Sequence, residues 1–137
     1  MKAVTEERKA KVLEIMTRHV GREKAIGMGE LYEMVFRKPW QNRIADTRDL
    51  RFVITDLRHR GVLIADTRGR TGGGYYLARS EHEIRQFLDR RTHEALKKLK
   101  MVAAMRGKTL PEFMGQLQLS LQSGQEESGQ QSAVSDQ

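Results

Sequence analysis

The chain contains no cysteine and only two prolines, and aromatic residues make up 6% of it. Without cysteine, neither a disulfide-stapled scaffold nor a thiolate metal site can be built. No run of eighteen apolar residues occurs, so no stretch reads as a membrane-spanning helix, and the amino terminus is not signal-like. The expectation is a soluble single domain with a tail. Few aromatics also leave few platforms on which unpaired bases could stack, which counts against single-stranded RNA binding.

Negative charge is the other shortage. All 25 Lys and Arg lie in residues 1–108 together with 14 of the 18 acids, so that segment carries 25 against 14, a net +11. Residues 37–70 hold nine bases and four acids, an excess of +5. Concentrated base points to a polyanionic partner, the alternative being a generally basic, soluble surface.

What is present is organised around residues 47–78. Leu50, Val53, Ile54 and Leu57 recur at i, i+3, i+4 and i+7, the stripe of a helix buried on one side. Asp46 or Thr47 is placed to cap its start and Gly61 to end it, giving a helix over 47–60. Arg48, Arg51, Thr55 and Arg58 share a second face, roughly 130° from the apolar one at about 100° per residue. Asp49 and Asp56 fall on a third flank. After Gly61, Val62–Ala65 and Tyr75–Ala78 read as the strands of a hairpin whose loop, 66–74, carries Arg68, Arg70, Thr71 and four glycines. A flexible cationic tip of this kind suits a phosphate backbone.

Thr47-Arg48, Leu50-Arg51, Ile54, Leu57-Arg58, Gly61, Ile64 and Gly74-Tyr75-Tyr76-Leu77-Ala78 together resemble the winged helix-turn-helix DNA-binding family, above all the small winged-helix proteins of phages and other mobile elements. The likeness spans roughly residues 8–90. It implies a mainly helical α+β fold and a regulator or replication accessory working in the cytoplasm of a bacterial cell or phage-infected host. Helix 47–60 would then be the recognition helix and loop 66–74 the wing. On this reading Arg48, Arg51, Thr55 and Arg58 contact base edges, while Arg43, Arg68, Arg70 and Thr71 contact the backbone; Arg43 reads equally as a solvated turn residue.

Around this centre, Thr5 is expected to cap a first helix with Val12, Leu13, Met16 and Val20 inward, ended by Gly21. A short helix over Glu30–Lys38, with Leu31, Met34 and Val35 inward, stops at Pro39. Trp40 and Ile44 are expected to pin the following turn. Residues 1–79 thus form the winged helix-turn-helix domain.

Ser80 and Glu83 form a capping box that opens a helix over 80–108, with Ile84, Phe87 and Leu88 packed on that domain. Its second half, 95–106, repeats the stripe with Ala95, Leu96, Leu99, Val102 and Ala103. This is either a homodimer contact or a face folded back on the first helix. Leu110, Phe113, Met114, Leu117 and Leu121 stripe an amphipathic segment, 109–121. Within it Gln118-Leu119-Ser120-Leu121 resembles the start of the peptide by which bacterial replication proteins dock on the sliding clamp, with Gln122 where the closing aromatic stands. Leu117, Gln118, Leu119 and Leu121 are therefore candidate partner-binding residues; the alternative is that Leu117 and Leu121 complete the amphipathic face. Residues 122–137, rich in Ser, Gly and Gln, are expected to be a disordered tail.

Catalytic signatures are missing. Gly107-Lys108-Thr109 lacks the glycine five residues upstream that a phosphate-binding loop requires, and His82-Glu83 lacks the second histidine of a zinc-protease helix, Gln86 standing there. No enzyme activity, cofactor or metal is expected. The competing reading is a protein-interaction module recruiting a replication partner through residues 110–122.

Overall fold

A computed structural model describes residues 4–41, 43–67 and 73–135, with side chains for 4–41, 46–67 and 73–123. The described chain runs α1 (Glu6–Met16), a short 3-10 turn (Arg22–Lys24), β1 (Ile26–Gly27), α2 (Met28–Phe36), α3 (Arg43–His59), β2 (Ile64–Thr67), β3 (Gly74–Leu77), α4 (Glu81–Met105) and α5 (Leu110–Ser135). It is a mainly helical α+β fold with one small antiparallel sheet in the order β1-β3-β2. Two compact units divide at Asp89 and Arg90.

In the first unit each helix is started or stopped by a nameable group. The Thr5 hydroxyl accepts the Arg8 N–H, as its sequence position predicts. Helix α1 then stops at Met16, short of Gly21, where Thr17 turns its hydroxyl onto the Glu14 carbonyl. Val12, Ile15 and Met16 are buried, but Leu13 is exposed, so the stripe is rotated slightly from the expected one. Helix α2 begins two residues before Glu30 and ends at Phe36, because Arg37 adopts a left-handed conformation. Leu31, Tyr32 and Val35 face the core and Met34 does not. The Trp40 ring lies flat against Gly29, where a Cβ would overlap it, and the Trp40 N–H bonds Glu33. The turn is thereby fastened to α2; the Ile44 side chain lies outside the described residues.

Helix α3 starts at Arg43, a turn before the predicted cap. Asp46 does act near the helix start, but from inside the first turn, accepting the Gln41 N–H and complementing the helix dipole. Thr47 is buried mid-helix. Gly61 provides the expected stop with φ 92°.

The sheet is covered on both faces. Ile26, Ile64 and Tyr75 join Leu50, Val53, Ile54 and Leu57 of α3 and the α1 and α2 residues in one core. Ala65, Tyr76 and Ala78 point the other way, onto Phe87 and Ile84 of α4. Strand alternation puts neighbours on opposite faces, so a sheet buried twice reads as a continuous apolar run and its ends are hard to place. Ile64 lies opposite Leu77 and Thr67 opposite Gly74, two residues beyond the predicted first strand. Gly74 sits so close to β1 that a Cβ would meet the Ile26 carbonyl oxygen at 2.9 Å.

Ser80 caps α4 by accepting the Glu83 N–H. Glu83 reaches further, accepting the Arg22 N–H at 2.8 Å and so tying α4 to the 3-10 turn. This bond first, with weaker ones from Arg79 and Ser80, outweighs the upward push of burial and leaves its carboxyl below the usual range. Leu88, expected inward, is exposed.

In the second unit Gly107, at φ 68°, ends the α4 segment with the Lys108 N–H returned to the Ala103 carbonyl. Thr109 caps α5 through Glu112. Ala103 and Phe113 are buried, and Arg106 lies over the Phe113 ring. The helix continues to Ser135, through the stretch whose composition reads as a tail. No proline follows Pro111, and a helix satisfies its backbone internally without needing a buried face. No helix among the described residues is long and apolar enough to cross a membrane.

Candidate nucleic-acid interface

The open side of α3 is built from residues that the core does not use. Arg48, Arg51, Phe52, Thr55 and His59 are all exposed, and at about 100° per residue they fall within roughly 100° of one another, nearly opposite Leu50, Val53, Ile54 and Leu57. The Arg51 Nε donates to the Thr47 carbonyl one turn back, which draws its side chain along the helix surface.

Arg58 departs from this group. Its Nε donates to the Ile64 carbonyl at 2.8 Å, its second nitrogen pairs with Asp66 at 3.4 Å, and the guanidinium lies over the Phe87 and Tyr75 rings. Helical phase alone groups it with Arg51, but 58 lies at the edge of that arc, next to the hairpin. Arg58 is a brace between α3 and the sheet, and the expectation that it shares the open face is corrected.

The acids of α3 are engaged elsewhere. Asp56 pairs with Lys9 at 3.2 Å and with Arg60 at 3.2 Å. Lys9, nearly buried, also holds Glu6 at 2.6 Å. The Lys9 ammonium, acting mainly through hydrogen bonds, keeps the Glu6 and Asp56 carboxyls below their usual range, and Glu6 in turn raises Lys9. Asp46 and Asp49 lie toward Tyr32, whose phenol is pushed up by burial first and by these two charges second. Arg48 and Arg51 therefore stand on a face from which the neighbouring carboxylates have been turned away.

Of the other expected contacts, Arg68, Arg70 and Thr71 lie outside the described residues, as does the side chain of Arg43. Phe52 was not foreseen. It stands four residues after Arg48 and three before Thr55, an aromatic out of phase with the core stripe, and that phase is the signal that reveals it.

Three of the four partner-binding candidates on α5 are brought together. Leu117, Gln118 and Leu121 line one shallow groove with Pro111, Met114 and Gly115. Leu119 projects about 150° away from that group at 100° per residue. Leu119 and Leu121 are 66% and 60% exposed.

Two further grooves among the described residues bring no serine, histidine and acid together. The groove of about 520 Å³ between α1 and α2 is lined by Arg8, Lys11, Glu14 and Phe36 among others, with no serine or histidine. Among the described residues no group of three or more metal-ligating side chains converges. The chain matches no family model, and comparison with curated proteins and with solved structures finds no match.

Proposed function

We propose that residues 4–89 are a winged helix-turn-helix that binds double-stranded DNA, with α3 in the major groove and the β2–β3 loop as the wing. The observation that carries this is the open face of α3: two arginines, an aromatic and a threonine opposite the core, with the helix's acids directed elsewhere. The order helix, strand, two helices, hairpin, with β3 central in the sheet, supports the same reading. Arg48 and Arg51 are suited to guanine O6 and N7, each good bidentate pair contributing about 1 to 3 kcal/mol of discrimination. Arg43, Arg68, Arg70 and Thr71 supply backbone contacts on sequence grounds. The role is that of a regulator or replication accessory of phage or mobile-element type, in the cytoplasm of the host cell.

The test is a titration of isotope-labelled protein with duplex DNA at several salt concentrations. With about five phosphate contacts, log K falls against log salt with a slope near −4 to −5, and shifts concentrate on Arg48–His59 and the β2–β3 loop. Binding indifferent to salt, or shifts confined elsewhere, removes the reading.

The second unit favours an additional role, a contact with a second copy of the chain. Leu96, Met101 and Met105 on α4 and Leu119 and Leu121 on α5 are all exposed. Charge makes the two helices complementary: Arg90, Arg91, Lys97, Lys98, Lys100 and Arg106 lie on or beside the α4 part, whereas no base occurs from Thr109 onward and Glu112, Glu126 and Glu127 do. Placing α5 of one copy along α4 of another satisfies both faces twice in a two-fold pair. A monomeric mass at high micromolar concentration overturns it and leaves residues 110–122 to a different partner.

A further inference from the structure

We infer that Phe52 reads the 5-methyl group of a thymine, so that the site preferred by α3 contains a thymine within one or two base steps of a guanine. This rests on the reading of α3 as a major-groove helix. Phe52 is 40% exposed and belongs to neither apolar cluster. It adds nothing to the core comparable to Leu50 or Ile54, and an aromatic is a poorer helix former than the alanine, lysine or glutamate a solvated position accepts. It stands in the middle of the basic face, flanked by Arg48 one turn before, Arg51 beside it and Thr55 just under a turn after.

In the major groove the thymine methyl is the apolar group offered by base edges, and an aromatic side chain is among those that contact it. Arg48 and Phe52 are separated by about 6 Å along the helix axis at 1.5 Å per residue. Successive bases of one strand are about 3.4 Å apart. An arginine on guanine and a phenyl ring on thymine therefore fall within about two base steps. Stacking on an unpaired base is the competing use of an exposed ring, but it needs a flipped or single-stranded nucleotide, which a helix lying in the groove of a paired duplex does not meet.

The experiment begins with selection of a tight-binding duplex from a random pool by the full chain. That duplex is then remade with uracil replacing thymine one position at a time, which removes a methyl and changes nothing else on the base edge. Wild-type protein is expected to lose about fourfold in affinity at one thymine, the worth of a single buried methyl. Phe52→Ala is expected to bind the thymine and uracil duplexes equally, and Phe52→Leu to keep part of the preference, both with unchanged thermal melting. Indifference of the wild type to every replacement overturns the inference, and so does a Phe52→Ala variant that keeps the preference, which would assign the methyl contact to Thr55. Selection that yields no binding duplex overturns the DNA reading itself, a result distinguishable from both. If Phe52→Ala abolishes binding altogether, the wild-type and Phe52→Leu series decides.

Discussion

Residues 4–89 and residues 90–123 carry apolar stripes of the same helical spacing, and the first set is far better covered than the second. Val12, Leu31, Leu50 and Val53 are fully enclosed, while Met105 is 72% exposed and Leu96 and Met101 are open as well. The difference lies in what stands opposite. In the first unit three helices and a sheet offer faces to one another, and the sheet's reverse face is closed by Phe87. Among the described side chains of the second, Ala103 and Phe113 alone are buried, and Leu99, Val102, Leu110 and Leu117 are half-covered. Amphipathic spacing specifies which side of a helix avoids water; it does not say which surface relieves it.

The largest test of this contrast compares truncations of equal chemistry. Leu50→Ala in α3 is expected to cost about 2 to 5 kcal/mol of stability, the transfer term plus the cavity left in a closed core. Leu119→Ala in α5 is expected to change stability by less than about 0.5 kcal/mol in the monomer. Urea unfolding of the full chain at low protein concentration measures both. An equal loss from Leu119→Ala would show that α5 has cover in solution and would collapse the comparison.

A smaller effect separates the arginines of α3. Arg58→Ala removes the donor to the Ile64 carbonyl, the partner of Asp66 and the cation over two rings, and is expected to destabilise by about 1 to 3 kcal/mol. Arg51→Ala is expected to leave thermal melting within the range of about 0.5 kcal/mol usual for surface positions while weakening selection among DNA sequences. If both variants lose only affinity, Arg58 belongs to the binding face after all and the brace is incidental.

How far the sequence foretold this depends on the kind of signal. The α3 stripe, the Thr5 and Ser80 caps and the Gly61 stop were legible because each rests on local spacing or on one side chain meeting one backbone group. The start of α3 was misplaced because Asp46 looks like a cap from the sequence alone, and only its bond to Gln41 shows that it works from inside the helix. Strand β1 is two residues long and includes a glycine, too short for any alternation to declare itself. Arg58 and Phe52 depart from the expected row on α3. Both depend on what lies beside the helix: the hairpin captures one arginine of the predicted row, and Phe52 stays half-exposed because neither apolar cluster takes it in.

The smallest effect concerns acid, and it too belongs to the first unit, where Glu6, Asp56 and Glu83 have lowered carboxyl pKa values. A carboxyl whose folded pKa is depressed contributes stability that is present above its ordinary value and is lost as pH falls through the folded one. Stability is therefore expected to decline once pH drops below about 4.5 for the glutamates and 3.8 for Asp56. Lys9 works in the opposite sense: its raised pKa gives stability that is present below 10.5 and lost as pH climbs through the folded value. Glu6 and Asp56 face solvent enough for screening to keep the effect small. Lys9→Met should flatten the acid limb of a pH series of urea midpoints, because it removes the charge that depresses both carboxyls. It should leave the part due to Glu83, which is held by the Arg22 N–H and not by Lys9. An acid limb unchanged by Lys9→Met would mean that the α1–α3 charge cluster is too well solvated to link folding to pH, and that the Glu83 tie alone carries the dependence.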